Sequence, residues 1–92
     1  IKMTDTIRGP VTKVLDGDTF EMKVTHTGKM NTRQYNDIET VRIAGIDAPE
    51  YGTQAGEIAK NQLQRRLLGK EVRCSIQARD TYRRIVAEVE VL

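Results

Sequence analysis

The chain has 92 residues, enough for one domain with one hydrophobic core but too few for two. Its single cysteine excludes a disulfide within the chain, and no apolar run is long enough to cross a membrane. The formal net charge at pH 7 is only +2, yet the C-terminal half is rich in basic residues, which suits a polyanionic partner as well as an ordinary solvated surface. These residues are Arg65, Arg66, Lys70, Arg73, Arg79, Arg83 and Arg84.

The N-terminal half predicts three strands and one long connection. Residues 11–15 alternate imperfectly between apolar and polar side chains, as in a strand with a bulge. Residues 20–24 alternate strictly and predict a second strand, and residues 41–46 predict a third. Residues 25–40, between those two strands, are polar and show no period, so we expect a long, mobile connection there.

One segment has the spacing of a helix. Within residues 54–68 the apolar side chains recur at helical intervals, at Ala55, Ile58, Ala59, Leu63 and Leu67. Thr53 is placed to cap the first turn, Gly56 weakens that turn, and Gly69 is placed to end the helix. The sequence therefore predicts a helix over residues 54–68.

Two further strands are predicted, over residues 72–78 and 85–91, both with period-two alternation. Cys74 falls on the apolar side of the first, so we expect a buried structural thiol and not a nucleophile. The order of elements, three strands, a helix and two strands, is that of the OB-fold. We therefore predict a mainly β (β+α) protein: a five-stranded OB-fold Greek-key barrel with one helix between strands 3 and 4, in a single domain over residues 1–92.

Three polar motifs lie where predicted strands start or stop. They are D-G-D-T at residues 16–19, R-I-A-G-I-D-A-P-E at residues 42–50 and D-T-Y-R-R at residues 80–84. Taken singly, each is compatible with an ordinary turn or strand end. Together they supply carboxylate oxygens for a hard cation, a further carboxylate for proton transfer and guanidinium groups for an anion. This combination is typical of metal-assisted phosphodiester hydrolysis.

Arg42 lies in an otherwise apolar strand, where an arginine needs either solvent or a paired anion. Strict alternation along residues 41–46 would place Arg42 and Asp47 on opposite faces of that strand. A bend near Gly45 would bring them to one side.

The three motifs, in this order, resemble those of the staphylococcal nuclease (thermonuclease-like) family, and the resemblance covers residues 11–91. It implies two aspartate ligands and one main-chain carbonyl ligand for calcium, a glutamate that positions or deprotonates the attacking water, and two arginines that bind phosphate. The corresponding metal ligands are Asp18, Asp47 and Ala48, and the corresponding catalytic residues are Arg42, Glu50 and Arg84.

The resemblance also implies an activity. It is that of a calcium-dependent endonuclease that hydrolyses DNA or RNA, with single strands preferred, to 3′-phosphate and 5′-hydroxyl ends. We expect a monomer that contacts no membrane. The resemblance favours a secreted or periplasmic location, although this sequence contains no signal-peptide pattern. The alternative is a noncatalytic barrel that binds nucleic acid or a protein partner. Such modules typically lack the acids that this chain has, which favours catalysis.

The sequence departs from the family pattern in two respects. The usual Tyr-Gly-Arg is Tyr82, Arg83 and Arg84 here, so Arg83 either requires a different turn or adds a phosphate contact. Tyr82 itself either stacks on a base or is a partly buried residue at a strand end. Family members also continue into further helices, and since the sequence ends at Leu92 we expect a barrel core without them.

Overall fold

The structure is a computed structural model that describes residues 4–92. The strands in this range are β1 (Asp5–Val14), β2 (Thr19–Lys23), β3 (His26–Thr27), β4 (Ile38–Ile43), β5 (Glu71–Arg79) and β6 (Ile85–Val91), and the helix is α1 (Gln54–Leu67). This helix is too short and too polar to cross a bilayer.

The five long strands close into a barrel. β1 pairs with β2 on one side and with β5 on the other, β2 pairs with β4, and β6 lies between β4 and β5. All of these pairs are antiparallel except β4 with β6, which are parallel. The predicted mainly β, five-stranded barrel with a helix between its third and fourth long strands is confirmed. β3 is an additional two-residue strand on the edge of β1, inside the predicted long connection.

The interior of the barrel is apolar. Phe20, Met22, Val41 and Ile85 are among the fully buried residues. Cys74 is also buried, as predicted, and burial raises the pKa of its thiol to about 12. A thiol with so high a pKa is a poor nucleophile, so this cysteine acts as a core side chain.

Irregularities in the strands explain where the predicted bounds were wrong. β4 ends at Ile43 and not at residue 46, because Ala44 and Gly45 form a turn in which Gly45 has φ 79°. The predicted bulge in the first strand is confirmed as a register shift between Val11 and Lys13. A second shift, before Ala78 in β5, leaves that residue exposed, so the alternation predicted there was wrong.

The helix follows its capping signals. The Thr53 hydroxyl oxygen accepts a hydrogen bond from the N–H of Gly56 at 3.0 Å, as expected for an N-cap. The helix ends one residue earlier than predicted, at Leu67, and Gly69 follows with φ 77°. The predicted apolar face was too wide, because Ile58 is 53% exposed.

The connection that leads into β4 is attached to the barrel at Asp5, a buried residue of β1. Its carboxylate accepts hydrogen bonds from the N–H groups of Thr32 and Arg33, at 2.9 and 3.0 Å, and from the Tyr35 hydroxyl at 2.8 Å. These contacts lower the pKa of Asp5, the Thr32 N–H most strongly. The connection predicted to be mobile is therefore tied to the first strand.

A second attachment lies at Glu39, which points into the barrel and is only 3% exposed. Its carboxylate pairs with the Arg79 guanidinium at 3.2 Å and accepts a hydrogen bond from the Asn36 N–H at 2.8 Å. A buried carboxylate needs such partners because burial otherwise penalises its charge. The ion pair thus fixes the start of β4 against the end of β5.

Candidate active site

Asp18 lies at the end of the tight turn between β1 and β2, and it is 8% exposed. The turn packs closely against the helix and the segment after β4, since a Cβ at Gly17 would lie 2.6 Å from that of Ala59 and 2.8 Å from that of Ala48. The Asp16 carboxylate accepts the N–H of Asp18 at 3.0 Å and stabilises the turn. The D-G-D-T motif therefore forms the hairpin turn of the ordinary interpretation and also presents a nearly buried carboxylate.

Three groups contact the Asp18 carboxylate. Oδ1 accepts the Thr19 hydroxyl at 2.8 Å, and Oδ2 lies 3.4 Å from the N–H of Ala48 and 3.7 Å from Nη2 of Arg42. Burial by itself would raise the pKa of Asp18, but its hydrogen bonds and the charge of Arg42 outweigh burial and lower it. The pKa of Asp16 is raised, mainly by burial and to a smaller extent by its contact with Asp18. Asp18 is therefore the member of this pair that is more readily ionised.

Arg42 and the segment after β4 lie on one side of the strand. The turn at Gly45 folds the chain back, so that Nη2 of Arg42 lies 3.4 Å from the carbonyl oxygen of Ile46. The bend that would reconcile Arg42 with the following acidic segment is therefore present. Arg42 also pairs in register with Thr19 of β2, which places it beside the D-G-D-T turn.

Asp47 and Glu50 lie on the exposed segment between that turn and α1. Within residues 4–92 their carboxylates form no hydrogen bond or ion pair, whereas the Glu50 carbonyl oxygen accepts the Thr53 hydroxyl at 2.7 Å. The backbone of Glu50 is thus fixed to the start of the helix while its carboxylate faces solvent. The structure brings Asp18, Arg42 and Ala48 together. Asp47 directly precedes Ala48 in the sequence.

The donor set suits a hard cation only if the backbone contributes. In the part of the chain that is described, no three His, Cys, Asp or Glu side chains form a cluster that could hold a metal ion. The proposed ligands are two carboxylates and one carbonyl, and Ca²⁺ accepts such mixed oxygen ligands together with water. The hydrogen bond from the Ala48 N–H to Asp18 places this segment beside the carboxylate. By their chemistry, two carboxylates and a main-chain carbonyl form a donor set that fits such an ion.

Arg84 lies just before β6 and is anchored by Asp80. Nε of Arg84 contacts Oδ2 of Asp80 at 2.7 Å, and the N–H of Arg84 donates to Oδ1 at 2.8 Å. Burial would raise the pKa of Asp80, but these contacts outweigh it and lower the pKa. Arg42 pairs in register with Val86 on the neighbouring parallel strand, and Arg84 lies two residues before Val86, directly ahead of that strand.

Comparison with known proteins places this architecture in a family. Residues 40–92 match the family model described as staphylococcal nuclease homologue. The chain belongs to this family. It is 37% identical over 101 residues to the "Probable endonuclease LCL3" of Arthroderma otae, covering 90% of this chain and 36% of the relative. It is 34% identical over 83 residues to an "Uncharacterized endonuclease" of Escherichia coli, covering 90% and 48%.

The chain spans about a third to a half of the length of the curated relatives it matches. In this staphylococcal nuclease homologue, residues 80–84 form a turn that contains Tyr82, Arg83 and Arg84. Arg83, at the glycine position, has φ 67°, the left-handed conformation that glycine adopts without strain. Its N–H donates to the Asp80 carbonyl at 3.0 Å, so Arg83 is held within a turn whose backbone conformation a glycine would also adopt.

The sequence motifs predicted the arginines and acids of the site but not the residues that position them. Asp80 belongs to the D-T-Y-R-R motif, but no role was predicted for it, although an acid four residues before Arg84 is a signal for an ion pair. Thr19 was likewise not given the contact that it makes with Asp18. Tyr82 is 79% exposed, so the alternative of a partly buried tyrosine was wrong.

Proposed function

We propose that this domain is the core of a calcium-dependent endonuclease that cleaves DNA or RNA, single strands in preference, to 3′-phosphate and 5′-hydroxyl ends. The observation that carries the proposal is the contact of Arg42 with the nearly buried Asp18 beside the Ala48 backbone, with Arg84 directly before β6, the strand that pairs with the strand of Arg42. Family membership and relatives named as endonucleases support it.

Asp18, Asp47 and the carbonyl of Ala48 are the residues that would hold the calcium ion. When bound, the ion supplies positive charge that stabilises the negative charge gained by the phosphate oxygens as water attacks. The low pKa of Asp18 supports this role, because a carboxylate that stays ionised is a better ligand for a hard cation.

Arg42 and Arg84 bind the phosphate group that is cleaved. Their guanidinium groups are planar, remain protonated and can each donate two hydrogen bonds to phosphate oxygens. Both side chains are 29% exposed, so they are accessible to a ligand. Asp18 orients the Arg42 guanidinium through Nη2, and Asp80 orients that of Arg84 through Nε. Such preorganised donors stabilise a crowded, more negatively charged phosphorus without reorganising during the reaction.

Glu50 orients the attacking water and accepts its proton. The water oxygen bonds to phosphorus, the bond from phosphorus to the 5′ oxygen breaks, and that oxygen takes up a proton from solvent and leaves as the 5′-hydroxyl. The phosphate stays on the 3′ oxygen of the preceding nucleotide. The exposed carboxylate on a fixed backbone supports this assignment, because a general base must reach both water and substrate.

The test compares Glu50→Gln with Glu57→Gln on a labelled single-stranded DNA in calcium. Glu57 is an exposed glutamate in the first turn of α1, so it is a matched control for the loss of charge. Loss of the general base should lower kcat by about 10²–10⁴-fold while calcium and nucleotide affinities stay nearly unchanged. Cleavage by Glu50→Gln at the rate of the unmodified protein would remove Glu50 from the mechanism.

A further inference from the structure

An open cavity of about 830 Å³ lies beside Arg84, between the turn at residues 80–84 and the segment that enters β4. Its volume is in the range of small-molecule sites, roughly 300–1,000 Å³. Gln34, Asn36 and Thr40 line one part of it, and Arg83 lines another. The cavity is therefore continuous with the phosphate site proposed above but extends beyond its residues.

The inner wall of this cavity is fixed and already paired. Arg79 lies 3.2 Å from Glu39 and also donates to the carbonyl oxygen of Arg83 at 3.0 Å. Glu39 and Arg79 therefore satisfy each other and hold the backbone of the turn. A ligand in the cavity would have to be recognised by other groups.

Three polar side chains of the lining are free to do this. Within residues 4–92, the side-chain amides of Gln34 and Asn36 and the guanidinium of Arg83 form no hydrogen bond or ion pair. An amide offers both a donor and an acceptor, which is what the edge of a nucleobase requires. A guanidinium group suits a phosphate.

We propose that Gln34, Asn36 and Arg83 form a flanking subsite for the nucleotide next to the one whose phosphate lies between Arg42 and Arg84. This inference rests on the proposed function and adds a position to its substrate. Arg83 binds the phosphate of the flanking nucleotide, and the two amides contact the edge of its base. A base must be unpaired to enter the cavity, so the subsite favours single strands.

Arg83 distinguishes the proposed subsite of this chain from the family pattern. The family pattern has glycine at this position, which offers no side chain to a phosphate. Here Arg83 has a left-handed backbone, which glycine adopts without strain, and its carbonyl accepts a hydrogen bond from Arg79. The side chain therefore adds a cation at the rim of the cavity.

The test is binding of a labelled single-stranded DNA 12-mer and of a labelled mononucleotide with a 5′-phosphate, by fluorescence anisotropy in the presence of a chelator. The variants are Arg83→Gly, which keeps the turn, and the double variant Gln34→Ala with Asn36→Ala. Arg65→Gln is the control, because it removes one exposed positive charge from the last turn of α1, outside the cavity.

Arg83→Gly should weaken 12-mer binding several-fold and reduce the slope of log affinity against log salt by about 0.7, the value for one phosphate contact on a single strand. The double variant should weaken binding with the salt slope unchanged. Neither variant should alter mononucleotide binding, because a single nucleotide cannot occupy the flanking subsite as well, and Arg65→Gln should alter none of these values. Equal effects of Arg83→Gly and Arg65→Gln, or equal losses on the 12-mer and the mononucleotide, would overturn the proposal.

Cleavage assays on the same samples separate the subsite from the nuclease activity. If the unmodified protein binds as described but cuts nothing, the proposed function fails and the flanking subsite stands. If it cuts, and Arg83→Gly binds the 12-mer as tightly as the unmodified protein, the subsite fails and the proposed function stands.

Discussion

Gly56 in the first turn of α1 lies directly against the carbonyl oxygen of Glu50, so that a Cβ at Gly56 would overlap that oxygen. The Thr53 hydroxyl joins the same two residues, donating to Glu50 and accepting from Gly56. Gly56 has a low helix propensity, but its lack of a side chain allows the first turn of α1 to hold the backbone of Glu50, the proposed general base.

Gly56→Ala should destabilise the protein and reduce cleavage. Helix propensity alone would make alanine more stable by about 1 kcal/mol. The overlap with Glu50 should outweigh this, with a net cost of about 1–3 kcal/mol as in other overpacked sites. Urea unfolding gives the sign, and the cleavage rate gives the effect on Glu50. A more stable Gly56→Ala would show that the close approach is unimportant.

Asp18→Asn should weaken calcium binding at least about tenfold, since even residues that only support a metal ligand cost 10–100-fold when changed. The amide keeps the shape of the side chain but loses the charge that a hard cation requires. Isothermal titration with calcium measures this. Asp37→Asn removes an exposed carboxylate and serves as the control. An unchanged titration for Asp18→Asn would contradict its role as a ligand.

Arg83→Gly should stabilise the folded protein by up to about 1 kcal/mol, because it removes the penalty of a side chain at φ 67°. Thr81→Gly, in the same turn at an ordinary φ, should be destabilising by comparison. Urea unfolding of both variants provides the measurement. If both lose stability equally, the conformation of Arg83 carries no strain.

Asp5→Asn should destabilise the protein at neutral pH, because it removes the acceptor for Thr32, Arg33 and Tyr35. The pKa of Asp5 is lowered below its usual 3.8 in the folded state. The carboxylate therefore contributes stability above pH 3.8, and this contribution is lost as the pH falls through the lower folded value.

The stability difference between the unmodified protein and Asp5→Asn should accordingly narrow as the pH is lowered below 3.8. Urea unfolding at several pH values checks this. A difference that stays constant across that range would mean that the charge of Asp5 does not contribute.

The sequence was sufficient for the barrel because its signals are local. Alternation, the Thr53 cap and Gly69 each depend on residues within a few positions, and each is present in the structure. The end of β4 was misplaced because the apolar run continues through Ile46, whereas the chain turns at Gly45.

The buried acids could not be predicted in the same way. Aspartate and glutamate usually lie at the surface, so their residue types do not predict that Asp5 and Glu39 are buried. Their partners are also distant in sequence: Thr32 lies 27 residues from Asp5, and Arg79 lies 40 residues from Glu39. Only the closed barrel brings these residues together. The candidate site was predictable in part. The motifs identified its residues, but the contact of Asp18 with Arg42 depends on the pairing of β2 with β4.

The most direct test of the account is cleavage of single-stranded DNA by the unmodified protein with calcium present, and again after calcium is chelated. We expect cutting only with calcium, and fragments that carry 3′-phosphate and 5′-hydroxyl ends. Three results would contradict this expectation: cutting after calcium is chelated, fragments with 5′-phosphate and 3′-hydroxyl ends, or no cutting by a sample that circular dichroism shows to be folded.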